Sequence, residues 1–326
     1  MLFFWKFYTT LDRKNLHFAA LTLGLAVLTK GLISIVLVGI VITSFLLVEK
    51  KPKFLLRLLN PVSLVIFFLV TVPWHVLAVF REEGFAWFYF VNEHWLRFFD
   101  QRIPKDYYSG PLYYYIPRIL LMFLPWTFIV FFIKGSTFKN IVYKRFLFCW
   151  FFSCLVFFSV SRAKANYYMV VGLPPLALWL NFLLSMKRTQ RGLLIAGVAA
   201  STILMGGGLY YAQSKETTIS VRASINHIAL NKDIYLFKRF EELSSLPFYC
   251  GRKIPVIDSE SRDLWYGQQK GANHNVFVDE KVLDQDDVYV YVLKRDMDDF
   301  KRRVRDGRRQ LVFSAPSYAV YVTKKV

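Results

Sequence analysis

The stretch His17-Phe18-Ala19-Ala20-Leu21-Thr22-Leu23-Gly24-Leu25-Ala26-Val27-Leu28-Thr29-Lys30-Gly31-Leu32-Ile33-Ser34 opens an apolar run that continues to Leu47-Val48 and carries one charge, at Lys30. A cation inside hydrocarbon costs about 3 kcal/mol or more, so an intramembrane lysine is a functional candidate by default. Two segments, Leu16–Leu28 and Leu32–Val48, read as a pair joined at Lys30-Gly31. The first rises only about 20 Å at 1.5 Å per residue, against a hydrocarbon layer about 30 Å thick. Lys30 is therefore expected to stop below the surface, facing protein or trapped water. Its plainer alternative is a side chain snorkelling to the headgroups.

Working outward, the chain is 55% hydrophobic and 18% aromatic, a membrane composition. Further spans are expected near Val62–Phe80, Leu112–Ile133, Phe146–Val160, Tyr167–Leu184 and Leu193–Tyr211. The net charge of +19 invites a nucleic-acid reading. Its distribution argues against one, because the cations crowd short loops between apolar spans instead of forming a basic stripe on a soluble face. Cys149, Cys154 and Cys250 have neither zinc spacing nor the number for a disulfide framework.

Loop charge sets the orientation. Lys50-Lys51-Pro52-Lys53 with Arg57, the stretch from Lys134 to Arg145, and Lys187-Arg188 with Arg191 are short and basic, so they belong to the cytoplasm. Lys30, the segment Arg81–Gly110, the turn Ser161–Asn166 and everything after Ala212 then lie outside. Arg81–Gly110 is strongly aromatic, as expected of a helix lying in the interface, with Glu93, His94 and Arg97 within one turn. A solvated polar face explains those three equally well. Asp106-Tyr107-Tyr108-Ser109-Gly110-Pro111 is turn-prone and suits a mobile lid. Arg162 and Lys164 place two cations on a short outer turn, against the trend, which calls for an anion outside or for headgroup phosphate. Pro174-Pro175 is expected to kink the next helix. Cations on separate outer elements are a common way to hold phosphate and neutralise charge developing on it.

From residue 213 the pattern changes. A helix over Val221–Leu230, strands at Asp233–Phe237, Val288–Leu293, Leu311–Phe313 and Tyr318–Val322, and a charged helix around Arg295–Arg305 suggest a small α/β domain. The division expected is a membrane domain over 1–212 and an extracytoplasmic domain over 213–326. Gly206-Gly207-Gly208 lies in a span and points to close helix packing, not to a nucleotide site.

Leu28-Thr29-Lys30-Gly31, Val72-Pro73-Trp74-His75, Asn92-Glu93-His94-x-x-Arg97-Phe98, Leu124-Pro125-Trp126 and Ser161-Arg162-x-Lys164 through Tyr168 to Leu173-Pro174-Pro175 occur in this order. Together with Ser245-Leu246-Pro247-Phe248-Tyr249 and Gly251-Arg252, they resemble the bacterial polyprenyl-phosphate-dependent membrane glycosyltransferases. That superfamily contains the aminoarabinose transferases of lipid A and, more distantly, the protein O-mannosyltransferases. The resemblance implies a C-type glycosyltransferase helical bundle, α-helical and polytopic in the bacterial inner membrane, with a C-terminal extracytoplasmic α/β domain. It implies inverting transfer of a sugar from a polyprenyl-phosphate donor to a lipid or protein acceptor at the outer face. Lys30 and Arg97 match residues that help hold the donor phosphate; Lys164, Tyr168, Glu93 and His94 are further substrate-binding candidates. The family's catalytic carboxylates sit on outer loops that would precede Met1, so no residue here inherits the base, and the chain resembles the larger C-terminal part of a longer enzyme. The sequence assigns no metal ligand and no cofactor; a divalent metal beside the donor phosphate stays open. An anionic-lipid transporter or flippase, or a non-catalytic membrane remnant, are the rival readings.

Overall fold

In a computed structural model, the described residues are 1–105, 109–128, 140–184, 190–215, 217–271 and 275–324. The chain divides into two compact units, Met1–Thr202 and Ile203–Val326.

The first unit is helical. Helix α1 covers Leu2–Thr10, α2 Arg13–Lys30, α3 Ile33–Val48 and α4 Pro61–Arg81. Asp12 caps α2 by accepting from the Lys14 N–H, and Asn60 caps α4 by accepting from the Ser63 N–H, so sequence fixes both starts. Between α2 and α4, His17 Nδ1 meets Ser63 Oγ at 2.9 Å, and a Cβ on Gly24 would lie 3.0 Å from Val70 Cγ1. A constant offset in both pairs makes the two helices parallel, and the missing side chain lets them approach closely. Gly31, at φ 80°, ends α2, and the chain turns back until Ser34 Oγ donates to the Ala26 carbonyl. α3 then descends against α6, Ile141–Val160, where Ser44 meets Ser153 at 2.9 Å and Arg145 pairs with Glu49 at 3.1 Å. Falling numbers against rising ones make this pair antiparallel. Lys51 Nζ reaches Tyr8 Oη at 3.3 Å, so α3 ends beside the start of α2. Lys30, Arg81 and Ser161 consequently share one end of the unit, as loop charge had indicated.

Buried Phe4, Phe45, Leu46, Phe146 and Leu147 fill the core, with Cys149 among them as a small packing residue. Among the described residues, three helical segments are long and apolar enough to cross a membrane: Pro61–Arg81, Ile141–Val160 and Leu194–Tyr211, the last within α8, Gln190–Lys215. The expected span over Leu112–Ile133 holds only in part. Helix α5 covers Tyr115–Met122 and gives way to a turn before Pro125, since proline lacks a donor and disfavours helical backbone before it. Residues 129–133 of that span, the loop at 134–139 and Lys187-Arg188 lie outside the described residues. The kink expected at Pro174-Pro175 does not form. A 3-10 stretch, Asn166–Gly172, precedes α7, Leu173–Leu184, and both prolines sit in the first turn of α7, where a missing N–H costs no bond.

In the second unit, α9 covers Thr217–Ile225, ending five residues before the helix expected to Leu230. A six-stranded sheet follows in the order β3-β2-β1-β4-β6-β5. β1 (Ile234–Phe237), β2 (Val256–Ile257), β3 (Phe277–Val278) and β4 (Tyr289–Leu293) run parallel. β5 (Arg309–Ser314) and β6 (Tyr318–Thr323) close one edge as antiparallel strands. The inner strands are nearly all buried, so they read as continuous Val/Tyr/Leu runs. β2 and β3 are two residues long and leave no periodic signal, so sequence missed them.

Candidate phosphate site at one end of the helical unit

The break in the Lys30 run is fixed by a histidine from a distant segment. His94 Nε2 accepts the Leu32 N–H at 3.0 Å, and His94 Nδ1 lies 2.5 Å from the Tyr89 carbonyl oxygen, to which it donates. These two bonds assign the ring proton to Nδ1 and leave Nε2 as the acceptor. A Cβ on Gly31 would come within 2.5 Å of His94 Nε2 and 3.1 Å of Tyr89 Oη. Glycine serves here for both its left-handed φ and its bare surface. His75 completes the cluster: Nδ1 donates to the Thr71 carbonyl at 2.7 Å, and Nε2 accepts from Tyr89 Oη at 3.0 Å.

His94 and Glu93 stand on a π-helix, Trp87–Leu96, in which the Arg97 N–H reaches the Asn92 carbonyl. Such wide helices are rare and often mark functional positions. Asn92 is fully buried, and its amide both donates to the Ile103 carbonyl at 2.7 Å and accepts the Ile103 N–H at 2.8 Å. This clamp folds the following loop back and delivers Arg102. Glu93 then accepts from Arg102 Nε at 2.6 Å and from Arg97 Nη1 at 2.9 Å, a carboxylate between two guanidiniums. Arg102 also donates to the Pro104 carbonyl.

The turn Ser161–Asn166 joins from the other side. The Arg162 N–H donates to the Phe98 carbonyl at 3.1 Å, Ser109 bridges Ala163, and Asn166 accepts from both Tyr114 Oη and Arg118 Nε. Three stretches far apart in sequence thus meet: Lys30–Leu32, the π-helix with its loop, and Ser161–Asn166.

Individual candidates fare differently. Lys30 is exposed at the last position of α2, not enclosed by the described residues. The helix starts at Arg13 and runs 18 residues, about 27 Å, so it rises higher than its apolar count alone allows. Arg97 and Glu93 are brought together. Lys164 is 2% exposed, and its ammonium donates to the Phe158, Ser159 and Ser161 carbonyls at 3.1, 2.6 and 2.6 Å. It caps the end of α6 with all three donors, and burial pushes its ammonium below the ordinary lysine range. In this structure its ammonium serves the helix end. Tyr168 is half-buried, its ring 5.4 Å from that of Phe158. Asp106, Tyr107 and Tyr108 of the expected lid lie outside the described residues. Among the described residues no three His, Cys, Asp or Glu side chains gather to hold a metal. Sequence missed Asn92, Tyr89, His75 and Arg102. Asn92 and His75 sit inside motifs as unremarkable polar letters, Tyr89 is one ring among many in the aromatic stretch before Asn92, and Arg102 stands nine positions from its partner in an aperiodic loop.

No family model matches the chain. Similar proteins are undecaprenyl phosphate-α-4-amino-4-deoxy-L-arabinose arabinosyl transferases. That of Pectobacterium atrosepticum is 31% identical over 179 residues, covering 52% of this chain and 31% of that protein. A Proteus mirabilis relative is 34% identical over 184 residues, covering 54% and 32%. One from Pseudomonas paraeruginosa is 27% identical over 227 residues, covering 68% and 38%. The chain thus spans about a third of the length of the curated relatives it matches. Among solved structures, the crystal structure of ArnT from Cupriavidus metallidurans bound to undecaprenyl phosphate superposes with a TM-score of 0.68 at 19% identity, covering 95% of this chain and 69% of that one. The fold is shared with ArnT, and the resemblance read from the motifs is borne out in sequence and in architecture.

Proposed function

We propose that this chain forms the donor-binding part of a membrane glycosyltransferase that moves a sugar from polyprenyl phosphate to a lipid or protein acceptor. The site lies at the outer face of the bacterial inner membrane, with the α/β unit extracytoplasmic. The observation that carries this reading is the fold, shared over 95% of the chain with a protein bound to undecaprenyl phosphate. Supporting it is the meeting of the Lys30 stretch with the helix of Arg97 through His94.

In such a transfer the anomeric carbon leaves the phosphate oxygen and bonds to the acceptor oxygen from the opposite face. The acceptor's proton passes to a base, and the phosphate departs with the bonding pair. Lys30 and Arg97 act on that departing oxygen, where charge grows, by electrostatic stabilisation. The aromatic wall of Trp74, Phe85, Tyr89 and Phe90 keeps water from the donor. The relatives' names make undecaprenyl phosphate-linked aminoarabinose the first donor to test and a lipid the first acceptor.

The longer enzyme of which this chain forms the donor-binding part, in proteoliposomes, is given that donor with label in the sugar. Label should pass to the acceptor, and Arg97→Ala should slow transfer by about 10²–10³-fold, the loss typical of one such donor. Label that crosses the bilayer without transfer would replace this reading with a flippase.

A further inference from the structure

Glu93 sits between two guanidiniums that a phosphate would also seek. Its side chain is 18% exposed, with Arg97 at 32% and Arg102 at 12%, so the trio is half-enclosed and only weakly screened by water. Arg102 is anchored independently through the Pro104 carbonyl and the Asn92 clamp on Ile103. The carboxylate is thereby fixed beside Arg97 rather than free to swing away.

We infer that Glu93 is a specificity residue that biases this site against phosphate monoesters and so promotes release of the lipid phosphate product. The inference rests on the phosphate-site reading given under Proposed function. Its physical basis is the change in ligand charge across the reaction. A polyprenyl-phosphate sugar is a phosphodiester with a single negative charge. The lipid phosphate left after transfer is a monoester carrying about −1.5 to −2 near neutral pH, by analogy with other phosphate monoesters. Repulsion from a fixed carboxylate scales with ligand charge, so Glu93 weighs nearly twice as heavily on the product as on the donor. It also competes for the Arg97 fork that the phosphate needs. Without this charge the site would hold its product most tightly when it should let go.

The test measures binding of farnesyl phosphate and of its methyl diester to the full chain in nanodiscs. Glu93→Gln keeps the shape and an oxygen acceptor for Arg102 while removing the charge. It should tighten monoester binding by about tenfold and diester binding by about threefold, a selective gain expected of one removed like charge. Glu93→Asp keeps the charge and should hold the monoester-to-diester ratio within about twofold of the parent. A Glu93→Gln shift equal for both esters, or absent, overturns the role of Glu93, as does a Glu93→Asp ratio that moves as far as that of Glu93→Gln. If Arg97→Ala binds both esters as well as the parent does, the phosphate-site reading itself falls, and this inference with it.

Discussion

The Leu32 N–H donates to His94 Nε2 at 3.0 Å, tying the break in the Lys30 run to a side chain sixty-two residues away. The break is stable because a half-buried donor freed from its helix has found a fixed acceptor. His94→Ala leaves that N–H without a partner and should cost about 1–3 kcal/mol. Thermal unfolding in detergent reads the loss, and Arg97→Ala, which breaks a half-exposed ion pair and frees no backbone donor, should shift the midpoint less.

Gly31 faces the same ring. Gly31→Ala adds a Cβ 2.5 Å from His94 Nε2 at a φ of 80°, so it meets both a clash and left-handed strain. A destabilisation of about 2 kcal/mol is expected. Paired with His94→Ala, the clash with the imidazole disappears, while the close approach to Tyr89 Oη and the strain stay. The double variant should therefore be more stable than the sum of the two single losses, which a double-mutant cycle measures.

Asn92 holds both backbone groups of Ile103. Asn92→Leu removes two buried bonds and should cost about 2–4 kcal/mol. Because Arg102 follows from that clamp, limited proteolysis after Arg102 should become faster in this variant. Unchanged cleavage would mean that the loop is held by other contacts.

Lys164 separates a structural cation from a binding one. Lys164→Met strips three carbonyls of their donor at the end of α6 and should lower stability by about 1–3 kcal/mol. Affinity for farnesyl phosphate should stay within about twofold of the parent. A large loss of affinity with stability intact would return Lys164 to the site.

In the α/β unit, the hydrogen bond from Lys238 holds the Asp299 carboxyl below the usual aspartate range, with Arg303 adding to the effect. A carboxyl depressed on folding stabilises above its unfolded value, about 3.9, and that contribution fades as pH falls through the folded value. Asp299→Asn should therefore lower stability near pH 7 by about 0.5–1 kcal/mol for a partly exposed network, and leave it unchanged near pH 2. Equal shifts at both pH values would exclude a charge effect.

The sequence by itself determined the membrane character, the end of the helical unit that Lys30, Arg81 and Ser161 share, and most of the order of elements. Each follows from apolar length, loop charge or strand-type runs, which are local properties of a chain in a bilayer or a sheet. It also placed Lys30, Glu93, His94 and Arg97 as candidates, through motif order. Only the tertiary structure decided which of these meet and what each does. His94 became a backbone tie, Lys164 a helix cap, and Glu93 the partner of an arginine that no periodicity announced. The reason is physical. Hydrogen bonds act over about 3 Å in space and carry no signature in spacing once their partners lie in different segments, as Leu32 and His94 do. Where a helix starts is local enough to read from its cap, but what its last lysine faces depends on everything packed around it.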